Sequence, residues 1–214
     1  MSSFALLKRR VARALVREDI DAEEMAAWVS SATSRLNEEL RLNDQLVRAT
    51  LPLTSRTVVV PPDFIAVKSL RLAGLEFGSV AGPMIYAAPE ALASMAHAEG
   101  YGGPGYYTTY GRVLEIAPFT ADGRKSLDLW YYGSIRDLVD DADTNFVLEK
   151  YPDLYLNAVC AFGHRFYLEN DFAQAKEGYV ALEIARLMER KDAEKYGDGP
   201  LIARPTRKMG GRHS

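Results

Sequence analysis

The stretch DAEEMAAWVSSATSRLNEEL, residues 21–40, decides the fold of this chain. Its apolar residues recur every three or four positions, which is the spacing of one face of an α-helix. They are Met25, Trp28, Val29, Ala32, Leu36 and Leu40. Asp19 or Asp21 can cap the first turn, and the carboxylates of Glu23 and Glu24 favour the positive end of a helix. The stretch therefore predicts an amphipathic helix that buries one stripe against the rest of the protein.

Helical spacing is also found at both ends of the chain. Apolar residues at one helical face predict a helix over residues 4–16. In the last third, helices are predicted from Pro152 or Asp153 to about Leu168 and over residues 170–196. The apolar stripe of the last helix is predicted to be Phe172, Ala175, Tyr179, Leu182 and Ala185. Gly197, Gly199 and Pro200 then end this helix.

Between these helices the pattern changes to that of β-structure. Short segments rich in β-branched and aromatic residues alternate with turn residues. Strands are predicted at residues 46–50, 56–60, 65–73, 106–110, 112–117 and 126–132. One short helix is predicted among them, over residues 90–98, because Pro89 suits a first helical position. A block of strands bounded by blocks of helices favours an α+β fold over alternating βαβ units.

The predicted fold class is thus α+β. Two N-terminal and two C-terminal helices form a four-helix group with an inserted antiparallel β region and a flexible C-terminal tail. The predicted domain covers residues 1–196, in which residues 1–42 and 152–196 are helical and residues 43–135 form the β-rich insertion. Residues 197–214 are a basic C-terminal extension.

Charge is unevenly distributed along the chain. The 214 residues carry a net charge of −3, whereas residues 197–214 hold four cations and one carboxylate, so the first 196 residues carry −6. This balance argues against a nucleic-acid-binding surface over the whole protein. No apolar run approaches the roughly 20 residues needed to span a bilayer, so no membrane partner is expected. The single cysteine, Cys160, excludes an intrachain disulfide and suits a reducing cytoplasm.

Motifs that would carry chemistry are incomplete. Residues 100–105 match G-x-G-x-x-G, but a helix precedes them and a strand follows, the reverse of a dinucleotide-binding site. Asp141, Asp143 and Asn145 resemble the start of a calcium loop that lacks its glycine and its final glutamate, so a helix-capping acidic loop is expected. The three histidines, His97, His164 and His213, have no metal-ligand spacing. No catalytic, cofactor-binding or metal-ligating residue is therefore predicted.

Two aromatic clusters are open to more than one interpretation. They are Tyr101, Tyr106, Tyr107 and Tyr110, and then Trp130, Tyr131 and Tyr132. Sheet core and a tyrosine-rich protein interface both fit this composition. Stacking on single-stranded nucleic acid needs interleaved cations, and only Arg112 and Arg124 are near.

The order of several short motifs resembles a known family. The motifs are Ser34–Arg41, Arg48–Leu51, Arg56–Phe64, Ser69–Leu72, Pro89–Leu92, Leu129–Tyr132, Thr144–Asn145 and Pro152–Tyr155. In this order and spacing, over about residues 5–200, they are similar to the head-to-tail adaptor, or head-completion, proteins of tailed bacteriophages and related gene-transfer particles.

This resemblance implies a non-enzymatic virion protein without a cofactor, made in the cytoplasm of the host bacterium. It implies a homo-oligomeric ring, usually of twelve copies, in the neck of the virion beneath the portal protein. The ring would extend the channel through which genomic DNA passes without sequence-specific binding, and would dock the tail or the next connector. Two alternatives remain open: a DNA-binding packaging component, and a hydrolase with a dispersed site.

The resemblance also implies a role for the C-terminal extension, since family members commonly grip the portal with it. The expected portal-binding residues are Leu201, Ile202, Arg204, Arg207, Lys208 and Arg212. The extension is expected to be disordered in the free subunit and to become ordered when it docks.

Overall fold

Helices from both ends of the chain assemble beside an inserted pair of β-sheets, as expected for an α+β protein. The structure is a computed structural model that describes residues 3–73, 82–95, 105–117, 119 and 126–196. Its helices are α1 (Phe4–Leu15), α2 (Ala22–Glu39), α3 (Pro89–Met95), α4 (Phe146–Lys150), α5 (Pro152–Phe166) and α6 (Asn170–Tyr196). Its strands are β1 (Leu46–Pro52), β2 (Thr57–Val59), β3 (Phe64–Ala73), β4 (Ile85–Tyr86), β5 (Tyr106–Tyr110), β6 (Val113–Ala117) and β7 (Ser126–Gly133). The α+β prediction is confirmed.

The ends of the N-terminal helices follow from local side chains. The Ser3 hydroxyl accepts a hydrogen bond from the amide of Leu6 at the start of α1. The Asp21 carboxylate accepts one from the amide of Glu23 at 2.9 Å, so Asp21 is the residue that caps α2. Each cap satisfies an amide that the helix itself leaves unpaired.

Helices α1, α2, α4, α5 and α6 share one apolar core and are called the helical group here. Within it, α5 packs against α6 and also against α1 and α2. The hydroxyl of Tyr155 lies 2.5 Å from that of Thr33 in α2, whereas Asn157 accepts a hydrogen bond from Lys176 of α6 at 2.9 Å. Residues 155 and 157 point roughly 200° apart on a helix of 3.6 residues per turn. Helix α5 therefore lies between α6 and the α1–α2 pair.

The prediction of which face of α6 is buried was wrong. The buried residues of this helix are Ala173, Val180, Ile184 and Leu187. The predicted stripe is on the outside, where Phe172, Tyr179 and Leu182 are 63%, 41% and 52% exposed. Ala175 and Ala185 are exposed with them. Both faces of α6 have apolar residues at helical spacing, and spacing alone does not indicate which face meets α5.

The strands of the described residues form two sheets that pack face to face. One has the strand order β1-β7-β3 and the other β2-β6-β5-β4. Their shared core contains Leu53, Val58, Val60, Leu70, Leu114, Ile116, Leu127, Leu129 and Tyr131. The pairing is antiparallel, as predicted, except that β4 runs parallel to β5. A parallel pair needs a long crossover, and the chain between β4 and β5 supplies one that contains α3.

Several predictions fall outside the described residues. They concern the last three residues of the predicted helix over residues 90–98, the loop at residues 100–104 and the C-terminal extension 197–214. The proposed division into a domain and an extension stays a prediction.

Candidate interaction surfaces

The histidine that the structure describes has a structural role. His164 is buried near the end of α5, and its Nδ1 lies 2.6 Å from the carboxylate of Glu169. This hydrogen bond holds the pKa of Glu169 below its usual range. The imidazole also stacks on Phe172 with 5.4 Å between ring centroids. His164 thus fixes the turn from α5 to α6, while His97 and His213 lie outside the described residues.

The thiol of Cys160 is unsuited to nucleophilic chemistry. It lies in the core of the helical group, and burial raises its pKa to about 11. A thiol with this pKa is protonated at neutral pH, and the thiolate is the reactive form. Cys160 is therefore a small buried apolar residue, as its position in an apolar helix indicated.

The acidic segment before α4 holds its own loop together and supplies the cap of α4. Asp143 accepts hydrogen bonds from the amides of Val139 and Asp140 at 2.9 and 2.8 Å, and these hydrogen bonds lower its pKa. The Asn145 side chain caps α4 through the amide of Leu148. Asp141 pairs with Lys8 of α1 at 2.5 Å. Within the described ranges no group of histidine, cysteine or carboxylate side chains has the arrangement of a metal site.

The aromatic cluster of β7 is divided between core and surface. Tyr131 and Tyr132 are buried, and the Tyr131 hydroxyl donates to Asp63 at 2.9 Å. Burial together with this hydrogen bond raises the pKa of Tyr131 to about 12. Trp130 lies on the opposite face of β7 from Tyr131 and is 39% exposed. The Arg48 guanidinium lies 5.8 Å from its ring centroid and makes two hydrogen bonds with Asp128. Trp130 is thus a surface residue of the kind found at protein interfaces.

A cleft of about 320 Å³ lies between the segment that follows α2, the junction of α4 with α5, and α6. Its walls are formed by Leu42, Asn43, Asp44, Lys150, Tyr151, Leu187, Arg190 and Lys191. Lys150 pairs with Asp44 in this cleft. The amines of Lys191 and Lys68 lie 4.9 and 5.9 Å from the centroid of the nearby Tyr132 ring. Although burial acts to raise it, the pKa of Tyr132 is lowered by hydrogen bonds from these two lysines. This polar contact ties the C-terminal part of α6 to β3 and β7.

Two outward-facing helix surfaces lie on either side of the helical group. On α6 the exposed apolar residues form a stripe, called the outer α6 stripe: Phe172, Ala175, Tyr179 and Leu182. On α2 the exposed residues are mostly small and form the outer α2 face: Glu23, Ala27, Ser30 and Ser34. Sequence reasoning missed both surfaces, since it assigned the stripe to the core and did not use the small residues of α2.

The residues that the sequence singled out for portal binding are all in the extension. Leu201, Ile202, Arg204, Arg207, Lys208 and Arg212 lie outside the described residues, so their role stays a prediction. Helix α6 extends to Tyr196, the last residue before the predicted extension.

Comparison with protein families gives a match along nearly the whole chain. A family model described as SU10 adaptor protein matches residues 2–204, which is nearly the whole chain. The match includes every described helix and strand. No curated protein matches. None of the helices in the described ranges combines the length and apolar composition that a membrane crossing requires.

Proposed function

Since the chain belongs to the SU10 adaptor protein family, a family of phage head–tail adaptors, we propose that it forms a ring beneath the portal. Membership makes it a structural protein of the virion neck that associates with portal and tail components. A structural family of this kind implies a non-enzymatic role. The observation that carries the proposal is the family match along nearly the whole chain.

The proposed ring has twelve copies, extends the DNA channel and provides the platform on which the tail or the next connector docks. Its subunits are made in the cytoplasm of the bacterial host. Heterologous contacts between neighbouring subunits generate a ring when each subunit has two different complementary faces. The outer α6 stripe and the outer α2 face supply two different surfaces, and α5 lies between the helices that carry them. This arrangement supports a ring.

Charge supports the passage of DNA through the ring without tight binding. The first 196 residues carry −6, so the body of the subunit repels the phosphate backbone. One observation favours the DNA-binding alternative, because Arg9 and Arg13 are exposed on α1 and form no ion pair within the described residues. Three other cations of the same region, Lys8, Arg10 and Arg17, are paired with carboxylates of the chain.

The portal contact is assigned to the C-terminal extension. Leu201 and Ile202 supply apolar side chains, and Arg204, Arg207, Lys208 and Arg212 supply charge for acidic groups on the portal. Burial of an aliphatic side chain contributes about 1.5–3 kcal/mol, so the two together account for roughly a hundredfold or more in affinity.

Removing the extension is expected to weaken binding to portal rings strongly. A chain that ends at Tyr196 should bind portal rings from the same virus at least about a hundredfold more weakly than the full chain, as measured by biolayer interferometry. In a full-length control, the four cations are replaced by glutamine while Leu201 and Ile202 are kept. This variant separates the apolar contribution to portal affinity from the charged contribution.

Equal binding by the truncated and full chains would refute the role of the extension. Absence of portal binding by both chains, together with salt-dependent binding of duplex DNA, would favour the packaging alternative.

A further inference from the structure

The outer α6 stripe has the form of a helix–helix contact surface. Phe172, Ala175, Tyr179 and Leu182 are spaced by three, four and three residues, which are the a and d positions of a heptad. The stripe is about 15 Å long at 1.5 Å rise per residue. Its three large side chains are 41–63% exposed, and a contiguous exposed apolar patch of this kind is typical of an interaction site.

The outer α2 face has the complementary shape. Glu23, Ala27, Ser30 and Ser34 are spaced by four, three and four residues, so they also follow one heptad seam. All four are exposed. Three of them are small, and small side chains leave a shallow groove into which larger residues of another helix can fit. A row of small residues alone specifies no partner, but here its period matches that of the outer α6 stripe.

Charge selects the relative direction of the two helices. In an antiparallel arrangement, Leu182 meets Ala27, Tyr179 meets Ser30 and Ala175 meets Ser34. The same register brings Arg186 to Glu23, and Arg190 close to Asp19 and Asp21, which are opposite charges. Within the part of the chain that the structure describes, Arg190, Asp19 and Glu23 form no ion pair, whereas Arg186 lies 3.4 Å from Glu183 of its own helix. A parallel arrangement would instead bring Asp171 of α6 towards Glu23, two like charges.

The two surfaces cannot meet within one chain. Tyr155 and Gly163 of α5 contact α2, and Asn157 and His164 of α5 contact α6 or the turn that precedes it. Because α5 separates the helices, the outer α6 stripe and the outer α2 face point away from each other. A contact between the two faces of successive copies is heterologous and therefore repeats from copy to copy.

We propose that the outer α6 stripe of one copy packs antiparallel on the outer α2 face of the next copy. This inference rests on the proposed ring and names the lateral contact that closes it. Each chain carries both of these complementary surfaces. Each surface therefore binds a neighbouring copy of the same chain.

Disulfide cross-linking tests the contact and its register. The full-length variant with Leu182→Cys and Ala27→Cys places two cysteines opposite each other across the proposed seam. A disulfide requires Cα atoms within about 7 Å, so it forms only if the register is correct. After oxidation of the protein assembled on portal rings, denaturing gels are expected to show a ladder of dimers, trimers and longer chains. The buried Cys160 remains in every variant and serves as an internal background.

An out-of-register variant provides the matched control. In the variant with Leu182→Cys and Ser34→Cys, the second cysteine is displaced by seven residues, which is about 10 Å along the helix. This variant should give only monomers on the same gel. A ladder from the first variant alone supports the contact and its register.

Two other outcomes overturn the inference in distinguishable ways. In the first outcome, native mass spectrometry shows several copies on each portal, but the in-register variant gives no ladder or both variants give the same ladder. The proposed contact is then wrong, whereas the proposed ring is not affected. If neither the variants nor the unmodified chain assembles on the portal, the ring and the contact fall together.

Discussion

Replacing Gly163 with leucine is expected to lower the free energy of unfolding by about 3 kcal/mol, because added volume in a packed core forces neighbouring groups apart. Gly163 of α5 faces Leu15 of α1 and Trp28 of α2. A Cβ atom at this position would lie 2.6 Å from Cδ1 of Leu15 and 3.2 Å from the Trp28 ring. Both neighbours are themselves buried, so neither has free space into which to move.

Thermal denaturation followed by circular dichroism measures this effect. A loss of about 3 kcal/mol corresponds to a fall in Tm of roughly 6–12 °C for a chain of this size. Gly178→Ala is the matched control on the exposed side of α6, where a Cβ would meet nothing within 4 Å. Alanine there should stabilise the protein by about 0.5–1 kcal/mol, because glycine is a poor helix former. A Gly163→Leu variant as stable as the unmodified chain would contradict the packing of α5 described above.

Replacing Leu129 with alanine is expected to cost about 3 kcal/mol, within the range of 2–5 kcal/mol found for buried leucines. Leu129 is fully buried in the middle of β7, the central strand of its sheet. It lies opposite Ala49 of β1 and Leu70 of β3. Its side chain points to the core between the two sheets, so truncation removes apolar contacts and leaves a cavity.

Urea denaturation compares this variant with Val59→Ala, a truncation on the short strand β2. Val59 is 67% exposed, so its truncation should change the free energy of unfolding by no more than about 0.5 kcal/mol. A similar small loss in both variants would show that the two sheets do not share the core described here.

Local signals in the sequence were sufficient to predict most helices and strands. The acidic first turn of α2 and its capping aspartate predicted its start, and the alternation of residues 126–132 predicted β7. These elements are specified by their own residues, through caps and periodicity. Of the residues in the incomplete calcium motif, Asn145 caps α4 through the amide of Leu148, as expected for a helix-capping loop.

The parts that could not be predicted depend on contacts between distant residues. The two residues of β4 are too short to show a period, and they form a strand only because β5 lies alongside. The apolar stripe of α6 was assigned to the core, yet Val180 and Ile184 on the opposite face pack there. The position of α5 determines which face of α6 is buried, and the sequence of α6 alone does not indicate that face. The surfaces that support a ring were therefore visible only once the helices were packed.

The proposed ring requires many copies of this chain on one portal ring, and native mass spectrometry of the complex can count them. Full-length protein is mixed in excess with portal rings from the same virus, and the mass of the complex gives the number of copies. We expect a closed set of twelve copies on each portal, with little of any intermediate species. A portal that carries no copy, or a variable number with no preferred value, would contradict it.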